Sequence, residues 1–145
     1  MQHHLAIVHR VYLDKIVCGQ KEIECRLGRI GYPPHGFVCC GDLIWFKESS
    51  GPIGAVASVR SVRYVEPLTR DLLVWIRGEF NDRICAPASF WESGERATVA
   101  TLIWLEHVCP LRPFDVAKRD RRAWVVLAEP PIPGRPIVSR VSQVA

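Results

Sequence analysis

The fold turns on Gly19-Gln20-Lys21-Glu22-Ile23-Glu24-Cys25-Arg26. Just before it, Val11 to Cys18 sets Tyr12, Leu13, Ile16 and Val17 on one side with Asp14 and Lys15 opposite, the spacing of a two-turn amphipathic helix. Gly19 suits the left-handed position just past such a helix. A strand-like segment follows. Its period of two predicts Glu22, Glu24 and Arg26 on one face and Ile23 and Cys25 on the other. Lys21 stands at the hand-over from helix to strand and is expected to reach solvent. Opposite charges two residues apart can point into one cleft and hold each other's geometry. Equally, they can form the solvated face of an edge strand, where charge discourages aggregation.

Outward from this stretch, Leu5-Ala6-Ile7-Val8 reads as a buried first strand. Residues 28–41 form a loop rich in glycine and proline, long enough to act as a lid over the cleft that starts at Lys21, with Arg29, Tyr32 and His35 as its polar or stacking groups; it can also be a plain connection. Leu43 to Lys47 is apolar on both faces. Ile53 to Tyr64 is a longer strand whose small residues Ala55 and Ala57 suit the inside of a tight barrel, with Arg60 and Arg63 reaching solvent or phosphate. From Pro67 the period changes to that of a helix carrying Leu68, Leu72, Leu73 and Ile76, with Gly78 as its expected end. Ala88 to Trp91 reads as one further turn. Ala97 to Val108 and Ala123 to Ala128 are strands, and Pro136 to Val141 is expected as a short edge strand. The order β-α-β-β-β-α-β-β points to a mostly β chain with α, a small barrel of about five or six strands with covering helices, in one domain over residues 1–145.

The pattern Gly-x-Lys-x-x-Glu-x-Arg, carried by Gly19, Lys21, Glu24 and Arg26, resembles the signature of the ASCH domain, a member of the PUA-like barrels. Cys40-Gly41-Asp42-Leu43-Ile44-Trp45-Phe46 is similar to that family's second landmark, a Gly-Asp turn entering an apolar strand. The resemblance implies a PUA-like fold and binding of RNA or a nucleoside. One branch of the family hydrolyses the acetyl amide of N4-acetylcytidine. Lys21 falls where that branch has its catalytic lysine, whereas Glu24 stands where it has threonine. Glu66, Glu79 and Glu106 are candidates, on position alone, for a further carboxylate.

Residues 109–145 carry seven basic and three acidic side chains, so the formal net charge of +4 sits in the last quarter, above all in Lys118, Arg119, Arg121 and Arg122. Such a cluster suits a phosphate backbone, or serves as a solubilising loop. No run approaches a membrane span and the start is not a secretory signal, so a cytoplasmic protein without a membrane partner is expected. The six cysteines lack CxxC or His/Cys zinc spacing, and Cys18, Cys25, Cys85 and Cys109 read as small core hydrophobes; no structural metal or cofactor is expected. The N-terminal His3-His4 pair reads as disordered. Of five tryptophans, Trp91 is the first choice to stack a base, because it lies in an irregular segment that can open onto a cleft.

Three functions remain open. In the first, Lys21, Glu24 and Arg26 bind RNA or a nucleotide, with Arg26 on phosphate or a base edge and Glu24 as acceptor. The second makes Lys21 and Glu24 the catalytic groups of an amide hydrolase on an acylated nucleoside. The third is an interaction or regulatory domain with no small-molecule site, in which the three charges splay into solvent.

Overall fold

The computed structural model describes residues 1–140. Its elements are β1 (His3–Val8), α1 (Arg10–Val17), β2 (Ile23–Gly28), β3 (Leu43–Glu48), β4 (Ile53–Val65), α2 (Arg70–Ile84), α3 (Ala88–Ser93), a 3-10 turn at Gly94–Arg96, β5 (Val99–Phe114) and β6 (Trp124–Leu127). The six strands make one mixed sheet in the order β2-β5-β4-β3-β1-β6. Only β1 and β3 run parallel. The two long strands, β4 and β5, shift register three times against each other. Each shift adds local twist and bend, and the sheet curls into a half-barrel, mostly β with three helices, of the PUA-like type. Its end strands are β2 and β6. They do not pair, and the candidate site lies in the gap between them.

The concave face is filled by Ala6, Ile44, Phe46, Ala55, Ala57, Val59 and Ile103, and α1 lays Leu13 and Ile16 onto it. The small alanines leave room for Phe46 and Ile16, both fully buried. Each large side chain so buried contributes roughly 1.5–3 kcal/mol. A second cluster packs α2 and α3 on β2 and β5 through Leu73, Ile76, Phe80, Ile84 and Trp91 against Ile23, Cys25 and Leu102. It is this second cluster that holds β2, through Ile23, Cys25 and Leu27.

Several expectations need correction. The second helix does not end at Gly78 but runs to Ile84, because Ile76, Phe80 and Ile84 continue the buried stripe of Leu73 at helical spacing. Thr69 caps its start, accepting from Leu72 N–H, and Cys85 ends it in the left-handed conformation at φ 61°. Pro67 precedes that cap rather than lying in the first turn. The fifth strand continues six residues past Val108, to Phe114. The tail makes only isolated bridges, Ala117 with Pro136 and Leu127 with Ser139; residue 141 lies outside the described residues. Of the cysteines, only Cys25 is buried, while Cys18, Cys39, Cys40 and Cys109 are exposed. Their apolar neighbours misled the pattern: Cys18 sits on the outer side of the helix end, and Cys109 where β5 leaves the core. His4 is not disordered but wholly buried.

Candidate functional site

Lys21 is placed by two helices at once. Its own N–H bonds to the Lys15 carbonyl in α1, and the next residue, Glu22, bonds through N–H to the Arg83 carbonyl in α2. The side chain therefore turns inward. Lys21 is only 6% exposed, and its Nζ donates to the carbonyls of Ile84 at 2.6 Å and Ile23 at 3.1 Å. Ile84 is the last residue of α2, so its carbonyl lacks an intrahelical partner and sits at the negative end of the helix dipole. A lysine ammonium satisfies both needs. The expectation that Lys21 reaches solvent is overturned, because a helix sixty residues downstream ends against it.

Glu24 and Arg26 follow on β2, on the face that looks across the gap. Arg26 Nε donates to Glu24 Oε1 at 3.0 Å. Its Nη2 donates to the Ile7 carbonyl at 3.0 Å and its Nη1 to the Ala123 carbonyl at 3.5 Å, so one guanidinium on β2 spans the gap to the end of β1 and the entry to β6. The guanidinium also lies over Trp124, 5.3 Å from the ring centroid. Glu24 Oε2 faces Lys21 Nζ at 3.8 Å, within ion-pair range but too far for a hydrogen bond. That oxygen is buried and has no hydrogen-bond donor. Glu22, expected on the same face, is exposed, since it precedes the strand proper.

Behind Arg26 stands a buried relay. Trp124 Nε1–H donates to His4 Nδ1 at 3.1 Å, and His4 Nε2 contacts Asp42 Oδ2 at 2.8 Å. With Nδ1 accepting, the proton is on Nε2 and His4 donates to Asp42. Burial, with the opposing bond to Asp42 too weak to reverse it, lowers the His4 pKa from 6.5. Burial also works against ionisation of Asp42, but N–H donation from Gln2, the His4 bond and N–H donation from Cys39 prevail and hold its carboxyl below 3.8. The Gly41-Asp42 turn thus orients, through His4, the ring on which Arg26 rests.

The cleft has a volume of about 700 Å³ and is walled by Tyr12, Ile84, Phe90 and the Ser49-Ser50 turn. Six basic side chains line it, Lys21, Arg26, Lys47, Lys118, Arg121 and Arg122, against the single carboxylate of Glu24. Arg122 is engaged by Asp120. Among the described residues, Lys47, Lys118 and Arg121 have no carboxylate within ion-pair distance. Burial, aided by Lys47 and Arg122 and opposed by Asp120, lowers the Lys118 pKa. Cys25 also lines the cleft; burial first, and the charge of Glu24 second, push its thiol up to about 12, which makes it a poor nucleophile.

The fold brings together Lys21, Glu24, Arg26, Lys118, Arg121 and Arg122; Arg119 lies outside the cleft. Trp91 is 3% exposed, packed under α3 in the second core cluster, and its neighbour Phe90 faces the cleft instead. The helical turn expected over Ala88 to Trp91 is present as α3, and its rotation on the core decides which ring points out. Residues 28–41 do not cover this cleft. None of Glu66, Glu79 and Glu106 lines it; Glu66 pairs with His35 Nε2 at 2.9 Å elsewhere. Lys47 and Tyr12, missed from the sequence, converge only because β1, β3 and α1 meet at the rim. No group of three or more His, Cys, Asp and Glu side chains suited to a metal occurs among the described residues. Among them, too, no helix is long and apolar enough to cross a membrane.

A curled six-stranded half-barrel whose open seam carries glutamate and arginine from β2, with a lysine just ahead of that strand, has the ASCH fold. The chain is similar to ASCH from Zymomonas mobilis: a point mutant of that protein superimposes with a TM-score of 0.63 at 14% identity, over 79% of this chain and 76% of that one. A second crystal structure of ASCH from the same organism gives 0.61 at 14% identity, over 77% and 71%. A hypothetical protein gives 0.51 at 17% identity, over 77% of this chain and 100% of that one. No protein-family model matches the chain, and no curated protein matches it.

Proposed function

We propose that the cleft binds a nucleotide unit of single-stranded RNA, with the base seated on Glu24 and the phosphate held by Lys47, Lys118 and Arg121. The observation that carries this is Glu24 Oε2, an acceptor without a donor at the floor of a cleft lined by six cations. Leaving a buried acceptor unpaired costs about 1–3 kcal/mol. The exocyclic amino group of a base supplies the missing donor, and Tyr12 and Phe90 offer flat apolar walls for the ring. The convergence of Lys21, Glu24 and Arg26 is the opposite of the splayed charges expected of a domain with no small-molecule site. Cytoplasmic RNA is the partner pool that accords with the sequence.

The test is a fluorescence titration with short RNAs and with mononucleotides at low and high salt. Saturable binding that weakens with salt is expected, and Glu24→Gln, which exchanges an acceptor for a donor, should lose about 1–3 kcal/mol of affinity. No saturable binding at low salt would refute the proposal.

A second function is favoured by one specific distance, the 3.8 Å between Lys21 Nζ and Glu24 Oε2. The pair could hydrolyse an acylated nucleoside such as N4-acetylcytidine. Glu24 would take a proton from water as its oxygen adds to the acyl carbonyl, and would return it to the departing N4 as the C–N bond breaks, releasing acetate and cytidine. Incubation of the protein with N4-acetylcytidine followed by chromatography decides it: no cytidine removes this substrate.

A further inference from the structure

A second hollow of about 250 Å³ adjoins the cleft and shares Arg26, Arg122 and Ala123 with it. Its other walls come largely from the 28–41 loop: Tyr32, Pro33, Pro34 and His35, with Thr101 and Trp124 behind them. The loop is pinned there. His35 is buried between Thr101 Oγ1, 3.2 Å from Nδ1, and Glu66 Oε2, 2.9 Å from Nε2. Tyr64 Oη donates to the Val38 carbonyl at 2.6 Å and accepts from Val38 N–H at 2.7 Å. The hollow is therefore a formed feature of the fold. Tyr32 stands at its mouth, 65% exposed, and its side chain has no hydrogen-bond partner among the described residues.

Its size and chemistry indicate the occupant. At about 250 Å³ it falls below the roughly 300–1,000 Å³ typical of a whole small-molecule site, so it suits one flat ring system attached to something seated next door. The walls offer an aromatic ring and two prolines, surfaces on which a ring stacks without sequence preference. The ridge between the hollows carries the Arg26 and Arg122 guanidiniums; Arg26 is paired with Glu24, and Arg122 holds Asp120 through Nε and Nη2, which leaves its Nη1 without a hydrogen bond among the described residues. An anionic link crossing the ridge would lie against both guanidiniums. Ring, anionic link and ring in that order are the features of a dinucleotide.

We propose that this hollow is a second nucleotide subsite, so that the protein takes two consecutive nucleotides of a single strand, the second base stacked on Tyr32 and the joining phosphodiester over Arg26 and Arg122. The proposal rests on the nucleotide occupancy of the first cleft. The test compares cytidine 5′-monophosphate with 5′-phosphorylated dinucleotides carrying cytidine at either end and each of the four bases at the other, titrated into wild type and Tyr32→Ala. Tyr32 is exposed in a loop, so its truncation leaves the core untouched. The dinucleotide should bind about tenfold tighter than the mononucleotide, with little dependence on the second base, and Tyr32→Ala should erase that gain while leaving mononucleotide affinity unchanged. Mononucleotide binding with no dinucleotide gain, or equal dinucleotide affinity in wild type and Tyr32→Ala, overturns the second subsite and leaves the first standing. Loss of binding by both ligands in wild type overturns the first cleft's occupancy and the second subsite with it.

Discussion

Replacing Lys21 by methionine isolates what the buried ammonium does for the fold. Methionine keeps most of the apolar stem but has no donor. The carbonyls of Ile84 and Ile23 then lose the partner now at 2.6 and 3.1 Å, and Glu24 loses one of its two cations. An orphaned buried carbonyl costs about 1–3 kcal/mol, so two cost roughly 2–6 kcal/mol. The cleft lets water reach the vacated position, which brings the expected loss to about 3 kcal/mol. That is a large share of a total stability of about 5–15 kcal/mol. For a chain of this size it lowers Tm by roughly 10 °C. Urea unfolding followed by tryptophan fluorescence measures it, and an unchanged m-value would show that the compactness of both end states is preserved. A loss below about 1 kcal/mol would refute the structural role, because a solvent-facing lysine is worth no more than about 0.5 kcal/mol. The cycle with Glu24→Gln separates the carbonyl contacts from the ion pair, since only the latter couples the two substitutions.

Acidification should destabilise the fold in two steps. Burial holds His4 below 6.5, so under pH 6.5 the unfolded chain takes up a proton that the folded one refuses; stability is full above that value and falls by up to about 1.4 kcal/mol per pH unit below it. Asp42, held below 3.8, adds its loss only as the pH drops under 3.8. Thermal melts from pH 8 to pH 5 read the first step, and His4→Gln should be less stable at pH 8 but flatter with pH. At the rim, Arg121→Ala should weaken RNA binding uniformly across sequences and reduce the slope of log affinity against log salt by about 1; an unchanged slope would place the phosphate elsewhere. Arg26→Lys should cost affinity although it preserves charge, because a lysine cannot hold Glu24, span to the Ile7 and Ala123 carbonyls and cover Trp124 at once.

Local pattern was enough for much of the chain. The alternation in 53–59 and 99–105 assigned the two long strands and put Ala55, Ala57 and Val59 on one face, because a strand's period of two needs no knowledge of its partner. Glu24 and Arg26 share a face for the same reason, and the glycine at 19, with φ 86°, marks the helix end because few other residues adopt that conformation readily. What escaped is what depends on distant chain. Only the arrival of the α2 terminus buries Lys21. Helix extension past Gly78 follows from Phe80 and Ile84 finding the sheet, a packing gain that outweighs the roughly 1 kcal/mol weakness of glycine in a helix. Whether Trp91 or Phe90 faces the cleft was decided by the rotation of α3 on the second core cluster. His4, Asp42 and Trp124 are 38 to 120 residues apart in pairs that touch, and no spacing rule links them. Periodicity reports which way a side chain points from its own element; the cleft exists because two sheet edges fail to meet, and that is a property of the curled sheet as a whole.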